Sequence, residues 1–171
     1  MAEIRGTDGS ISATFEAEEI RVLGNVLDEM TALLRAPAKP GDAVRARLFP
    51  DAYEDPEDQR AYEELVGDQL LAEKVAALRR VRRALPTGKQ ATVELDHDQA
   101  NDWLTVINDI RLAIGTRLDV TEDVMQKEID PEDPDGPALA VLHWLGWMQE
   151  LFLKELTGYG DDRGDAHAEE G

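Results

Sequence analysis

Asn108, Asp109, Arg111 and Arg117 interrupt an otherwise apolar stretch, WLTVINDIRLAIGTRL from Trp103 to Leu118, whose hydrophobic residues recur at helical spacing. Asn108 and Arg111 are three residues apart and share one helix face. A guanidinium drawn into an apolar surround needs an anion, because a buried charge left unpaired is costly. Two chemistries follow. If the anion is a carboxylate of the chain itself, this polar motif is a structural tie between helices. If Arg111 or Arg117 has no such partner and lines a pocket of roughly several hundred Å³, the chain is a small-molecule sensor that takes a ligand carboxylate.

The one strongly basic region is Arg79, Arg80, Arg82 and Arg83, with Lys74 and Lys89 nearby. It could dock an acidic protein or a nucleic acid. It also falls toward the end of a predicted helix, where cations complement the dipole and can pair with surplus carboxylates elsewhere in the chain. Asp96, His97 and Asp98 are metal-ligating types, but adjacent side chains at a helix start seldom converge on one ion, and capping accounts for both aspartates. The loop DPEDPDG, Asp130 to Gly136, puts Asp133, Asp135 and Gly136 at the third, fifth and sixth positions of an EF-hand. Pro131 and Leu142 then occupy the first and twelfth, where calcium needs carboxylates. His97, His143 and His167 lack an identifiable nucleophile or acid partner, and there is no phosphate-binding glycine-rich motif and no GxSxG elbow. We therefore expect no catalytic residues, no cofactor and no metal.

Composition narrows the partners. With 37 Asp and Glu against 18 Lys and Arg, the net charge is −19, so a phosphate-rich surface is repelled at long range and direct DNA binding by this protein alone is not expected. The absence of cysteine removes disulfides, thiol catalysis and thiolate metal sites together. No run of about 18 uncharged apolar residues occurs and the start has no apolar leader pattern, so the expectation is a cytoplasmic protein without membrane contact.

The elements that must position these residues can be read from periodicity. Ile11 to Phe15 (ISATF) and Ala91 to Leu95 (ATVEL) alternate as short strands, and each leads into acidic residues and then a helix. The first helix carries Ile20, Leu23, Leu27, Met30 and Leu34 and must end before Pro37 and Pro40, leaving residues 36–42 as a linker. An offset of 80 sets Phe15 against Leu95, Leu23 against Trp103, Leu27 against Ile107 and Met30 against Ile110. Strand, acidic turn and helix thus occur twice, and the two strands are expected to pair as a ribbon with the two helices beneath. Between them, Pro50 to Pro56 reads as an ordered loop. A long helix follows, with Tyr62, Leu65, Val66, Leu70, Leu71, Val75, Leu78, Val81 and Leu85 as its apolar face, ended by Pro86 and Gly88.

Gly115 is expected to close the Trp103 helix in the left-handed conformation, with a short helix from about Thr121 to Ile129 after it. The last helix, beyond Pro137, is apolar around most of its circumference, so it is either central to the core or shared with a partner. Trp144, Trp147, Leu151 and Phe152 are its candidate partner-binding anchors. The expected fold is mainly α: a single compact bundle of about five helices with a short two-stranded β-ribbon. Residues 1–157 would form one helical regulatory domain, and residues 158–171 an acidic disordered tail.

LFPDAY at Leu48 to Tyr53, NDIRLAIGTRL at Asn108 to Leu118 and WLGWMQE at Trp144 to Glu150 resemble an actinobacterial family of uncharacterised domains that includes the AosR-type oxidative-stress regulators. The resemblance implies a non-enzymatic regulatory protein that acts on transcription through protein–protein contacts, with a sigma factor or RNA polymerase as its partner. It also implies oxidant sensing by a cysteine pair, which cannot carry over to a chain without cysteine. The alternatives are an adaptor in protein quality control or metabolism, and the small-molecule sensor with an arginine-lined pocket. A homodimer through the last helix is a related expectation.

The charge generates a first test. Mixed with promoter DNA at low salt, where electrostatic attraction is strongest, the purified protein is expected to leave the mobility of the DNA unchanged; a shifted band would overturn the exclusion of direct DNA reading.

Overall fold

Alternation of small and apolar residues at the N-terminus builds a sheet on which the helices assemble. In a computed structural model, which describes residues 1–7, 9–126 and 128–158, strands β1 (Glu3–Thr7) and β2 (Ser10–Phe15) form a hairpin, with Gly9 at φ 80° in its turn. Strand β3 (Ala91–Asp96) pairs antiparallel with β2, Ile11 opposite Leu95 and Phe15 opposite Ala91. Ile4, Ile11, Ala13, Phe15 and Leu95 face the core, and Ser12 and Thr14 alternate with them. The β2–β3 ribbon is the pairing expected. The third strand is a correction: Ala2 and Ile4 are buried between exposed charged neighbours, an alternation too short and too polar to register as a strand.

Six helices occur among the described residues: α1 (Ala17–Arg35), α2 (Ala43–Leu48), α3 (Pro56–Ala84), α4 (His97–Arg117), α5 (Glu122–Gln126) and α6 (Gly136–Thr157). Mainly α is right; about five helices was one too few. The additional one is α2, where Asp42 caps the amides of Val44 and Arg45 at 3.1 and 3.2 Å and Val44 and Leu48, four apart, are buried. From α2, Arg45 donates to the carbonyls of Leu33 (3.2 Å), Leu34 (3.1 Å) and Ala36, the bare acceptors at the end of α1. The expected linker is thereby clamped at both ends.

The repeated unit is visible in the caps. At α1, Glu16 and Glu19 form a reciprocal capping box; at α4, 80 positions on, Asp96 and Gln99 do the same, with Asp96 accepting from the Gln99 amide at 2.8 Å. Gly115 does not end α4, which runs on to Arg117. Thr116 returns its hydroxyl to the Leu112 carbonyl at 2.7 Å, the Val120 amide closes on the Gly115 carbonyl at 2.9 Å, and the left-handed residue is Asp119, at φ 49°. The short helix that follows is narrower than expected, Glu122–Gln126.

Three rings form the centre of the core. Trp103 of α4 stacks with Phe15 of β2, at 5.6 Å between centroids, and with Phe152 of α6, at 6.1 Å. Phe152 is fully buried, which removes it from the candidate anchors; Leu145 and Met148 are buried beside it. The long helix departs further from expectation. Only Ala77, Leu78 and Val81 of α3 are buried, and Leu71 and Val75 are the first of its apolar residues to pack on the core. Leu65 is 83% exposed, so the stretch from Pro56 to Leu70, roughly 22 Å at the helical rise, stands clear of it. The tail expected over 158–171 lies, beyond Gly158, outside the described residues. None of the described helices is long and apolar enough to cross a membrane.

These burials fix a contrast. Phe152→Ala is expected to destabilise by about 3–5 kcal/mol, and Leu65→Ala by under about 0.5 kcal/mol, in urea unfolding. Equal losses would show that the free half of α3 is packed after all.

Candidate functional site

The polar motif of α4 separates into three fates. Asp109 is only 7% exposed, and both its oxygens accept from Lys74 of α3, at 2.9 and 3.1 Å. The same ammonium lies 5.7 Å from the ring centroid of Phe49, so the LFPDAY segment is drawn to this pair by a cation–π contact. Asp109 thus ties α4 to α3, through a lysine ammonium and not through either arginine of the motif. Arg117 is exposed, is not among the residues that line the cleft of Arg111, and makes no ion pair among the described residues.

Arg111 is different. Its guanidinium donates to the Gln149 side-chain oxygen of α6, and Gln149 in turn donates to Asn108 Oδ1 at 3.3 Å. The stack is close because residue 146 is glycine: a Cβ there would sit 3.2 Å from a terminal nitrogen of Arg111. No carboxylate pairs with Arg111 among the described residues, and its Nε is buried with no hydrogen-bond partner. An unmet buried donor of this kind costs about 1–3 kcal/mol. Arg111 and Asn108 line a cleft of about 710 Å³ between α2, α4, α5 and α6, whose walls include Ala46, Leu112, Val120 and Leu142.

The basic cluster is largely committed within the chain. Arg80 grips Asp102 of α4 with two nitrogens, at 2.6 and 3.0 Å, and this hydrogen bonding raises its pKa above the already high guanidinium value. Arg82 holds Asp28 of α1 at 3.0 and 3.4 Å, and Arg83 donates to the carbonyl of Arg79. Of the four, only Arg79 has no hydrogen bond from its side chain among the described residues. Asp96 caps α4 as expected, but its capping-box partner is Gln99 and not Asp98, which is only an acidic residue of the first turn; His97 bonds Asn101 within the same helix.

On α6, Trp144, Trp147 and Leu151 are half-buried against the core. The Trp144 indole donates to Glu19 at 3.1 Å, and Glu19 also receives the Ala2 amide at 2.8 Å, joining the N-terminal strand region, α1 and α6. Glu155 of α6 takes the Gly6 amide at 2.7 Å, an approach that only glycine permits, since a Cβ would come within 2.5 Å of the carboxylate. Sequence reasoning missed Glu19, Gln149, Glu155 and Arg45. Glu19 and Glu155 were hidden in an acidic chain, and Gln149 because the partner sought for Arg111 was a carboxylate.

The N-terminal half of α3 packs on none of the core. Asp55, Glu57, Asp58, Glu63, Glu64, Asp68 and Glu73 surround it against one base, Arg60. Leu65 is exposed among them, and Tyr53 and Tyr62 meet edge to face at 5.7 Å at its base.

A domain of unknown function, DUF2017, matches residues 1–156. Among curated proteins, the chain is similar to the oxidative stress regulator AosR of Mycobacterium bovis and that of Mycobacterium tuberculosis. Each is 26% identical over 147 residues, covering 77% of this chain and 66% of the relative. A putative oxidative stress regulator AosR of Mycobacterium leprae is 26% identical over 148 residues, covering 76% and 67%. The chain therefore spans just under two thirds of the length of the first two relatives. No solved structure matches.

The Lys74–Asp109 tie is testable by a double-mutant cycle. Asp109→Ala is expected to cost roughly 3 kcal/mol by stranding the ammonium, and Lys74→Met added to it to recover part of that loss. Strictly additive losses would mean that the two groups are not coupled.

Proposed function

The chain belongs to the DUF2017 family, and on that premise we propose that it is a regulatory protein of the cytoplasm, not an enzyme, that acts by binding another protein. The name of its relatives, oxidative stress regulator, supports the regulatory part of this reading. Any response to oxidants runs through something other than its own thiols, because it has no cysteine.

The observation that carries the protein-binding part is the free half of α3. Leu65 is exposed there on a stretch of helix that has left the core, and the charge around it selects the partner. Seven carboxylates and one arginine favour a basic protein surface and oppose nucleic acid. They also oppose a second copy of the same face. For a homodimer through α6, Phe152 is unavailable and only the half-buried edges of Trp144, Trp147 and Leu151 remain. Within the regulator reading, a sigma factor or RNA polymerase is the candidate partner.

The test is capture of the tagged protein from its native cytoplasm beside two variants, Leu65→Glu and the fourfold Arg79, Arg80, Arg82 and Arg83→Ala. Recovery of RNA polymerase or a sigma factor, lost with Leu65→Glu and retained with the arginine variant, is the expected result. Loss only with the arginine variant would move the contact to the other end of α3. Recovery of a protease or a metabolic enzyme instead would replace the regulator by an adaptor.

A further inference from the structure

In a chain with about two carboxylates for every base, the guanidinium of Arg111 is paired with a neutral amide and keeps a buried Nε without any partner. It does so on the wall of a cleft of about 710 Å³, within the size range of roughly 300–1,000 Å³ usual for small-molecule sites. We propose that this cleft binds a small organic carboxylate with an apolar body, and that Arg111 is the group that grips it.

The other lining residues fit that ligand. Asn108 gives its oxygen to Gln149, which leaves its amide nitrogen as a second donor on the same wall. Arg47, exposed on α2, lines the cleft and has no ion pair among the described residues. Against these stands a single lining carboxylate, Asp119. Leu112, Val120, Met125 and Leu142 offer the ligand's body an apolar bed.

Release of the Gln149 bond and a turn of the guanidinium toward the cleft would present Nε and a terminal nitrogen side by side, the fork that takes both oxygens of one carboxylate. The net charge of −19 does not forbid this, because screening confines distant charges to about 8 Å at physiological salt and the cleft itself is lined by two arginines against one aspartate. The inference goes beyond the regulator reading, to which it would add an input, and does not depend on it.

The probes are hexanoate, its neutral isostere hexanamide and inorganic phosphate, titrated at constant ionic strength. The readout is the Nε–H resonance of Arg111 in ¹H–¹⁵N spectra of the full chain, assigned by its disappearance in Arg111→Gln. Hexanoate is expected to give a saturable shift with a dissociation constant of about millimolar order, and hexanamide to bind about tenfold more weakly or worse. Followed by backbone amides of the cleft, Arg111→Gln should abolish hexanoate binding, Arg47→Gln should weaken it severalfold and Arg117→Gln should leave it unchanged. If Arg111→Gln fails to fold, Arg47→Gln and the hexanamide comparison decide. No saturable response to hexanoate, equal binding of hexanamide, a response to phosphate alone, or unaltered binding by Arg47→Gln would each overturn the assignment.

Discussion

Phe15, Trp103 and Phe152 lie ring over ring, and each comes from a different layer: the sheet, the helix that crosses beneath it and the last helix. Aromatic pairs of this geometry are worth about 0.5–1.5 kcal/mol each beyond the area they bury. Their placement matters more than that sum. Because Trp103 stacks with one ring from the sheet and one from the last helix, α4 is registered against both β2 and α6. Val106, Ile107 and Ile110 then bury further along the same helix, and the polar residues between them are carried to fixed addresses: Asp109 toward α3, Arg111 toward α6 and the cleft.

Charge is abundant here and cations are scarce, so the use of each cation is informative. Arg80, Arg82 and Lys74 each join α3 to another helix by a carboxylate, which accounts for three of the bases on its core-facing half. Arg111 departs from that economy. Its amide partner and its neighbour Gly146 hold it close to α6 without neutralising it, and the segments that resemble the family, around Asn108 to Leu118 and Trp144 to Glu150, meet at this contact.

What could be read in advance was whatever repeats along the chain. The β2 and β3 strands and the helices after them follow from alternation, helical spacing and the offset of 80. What could not be read depended on non-repeating contacts. β1 contains one buried residue, Ile4, and α2 is too short to show a period. The apolar stripe of α3 continues unchanged from Tyr62 to Leu85, and nothing in its spacing reveals that the core ends near Leu71. At the site, the residue type was legible and its partner was not: Arg111 stood out as a guanidinium on an apolar helix, and the group it meets is an amide 38 positions away.

The clamp that Arg45 places on the end of α1 separates geometry from chain length. Because a guanidinium on α2 seizes the carbonyls of Leu33, Leu34 and Ala36, the angle between the two helices is set by those bonds and by Val44 and Leu48 beneath them, while residues 37–41 have only to close the gap. Doubling the length of such a closing segment adds about 0.6 kcal/mol of loop entropy. This short span is accordingly where homologous chains are free to drift in length, and where a reporter could be spliced into the protein while the cleft beside α2 keeps its shape.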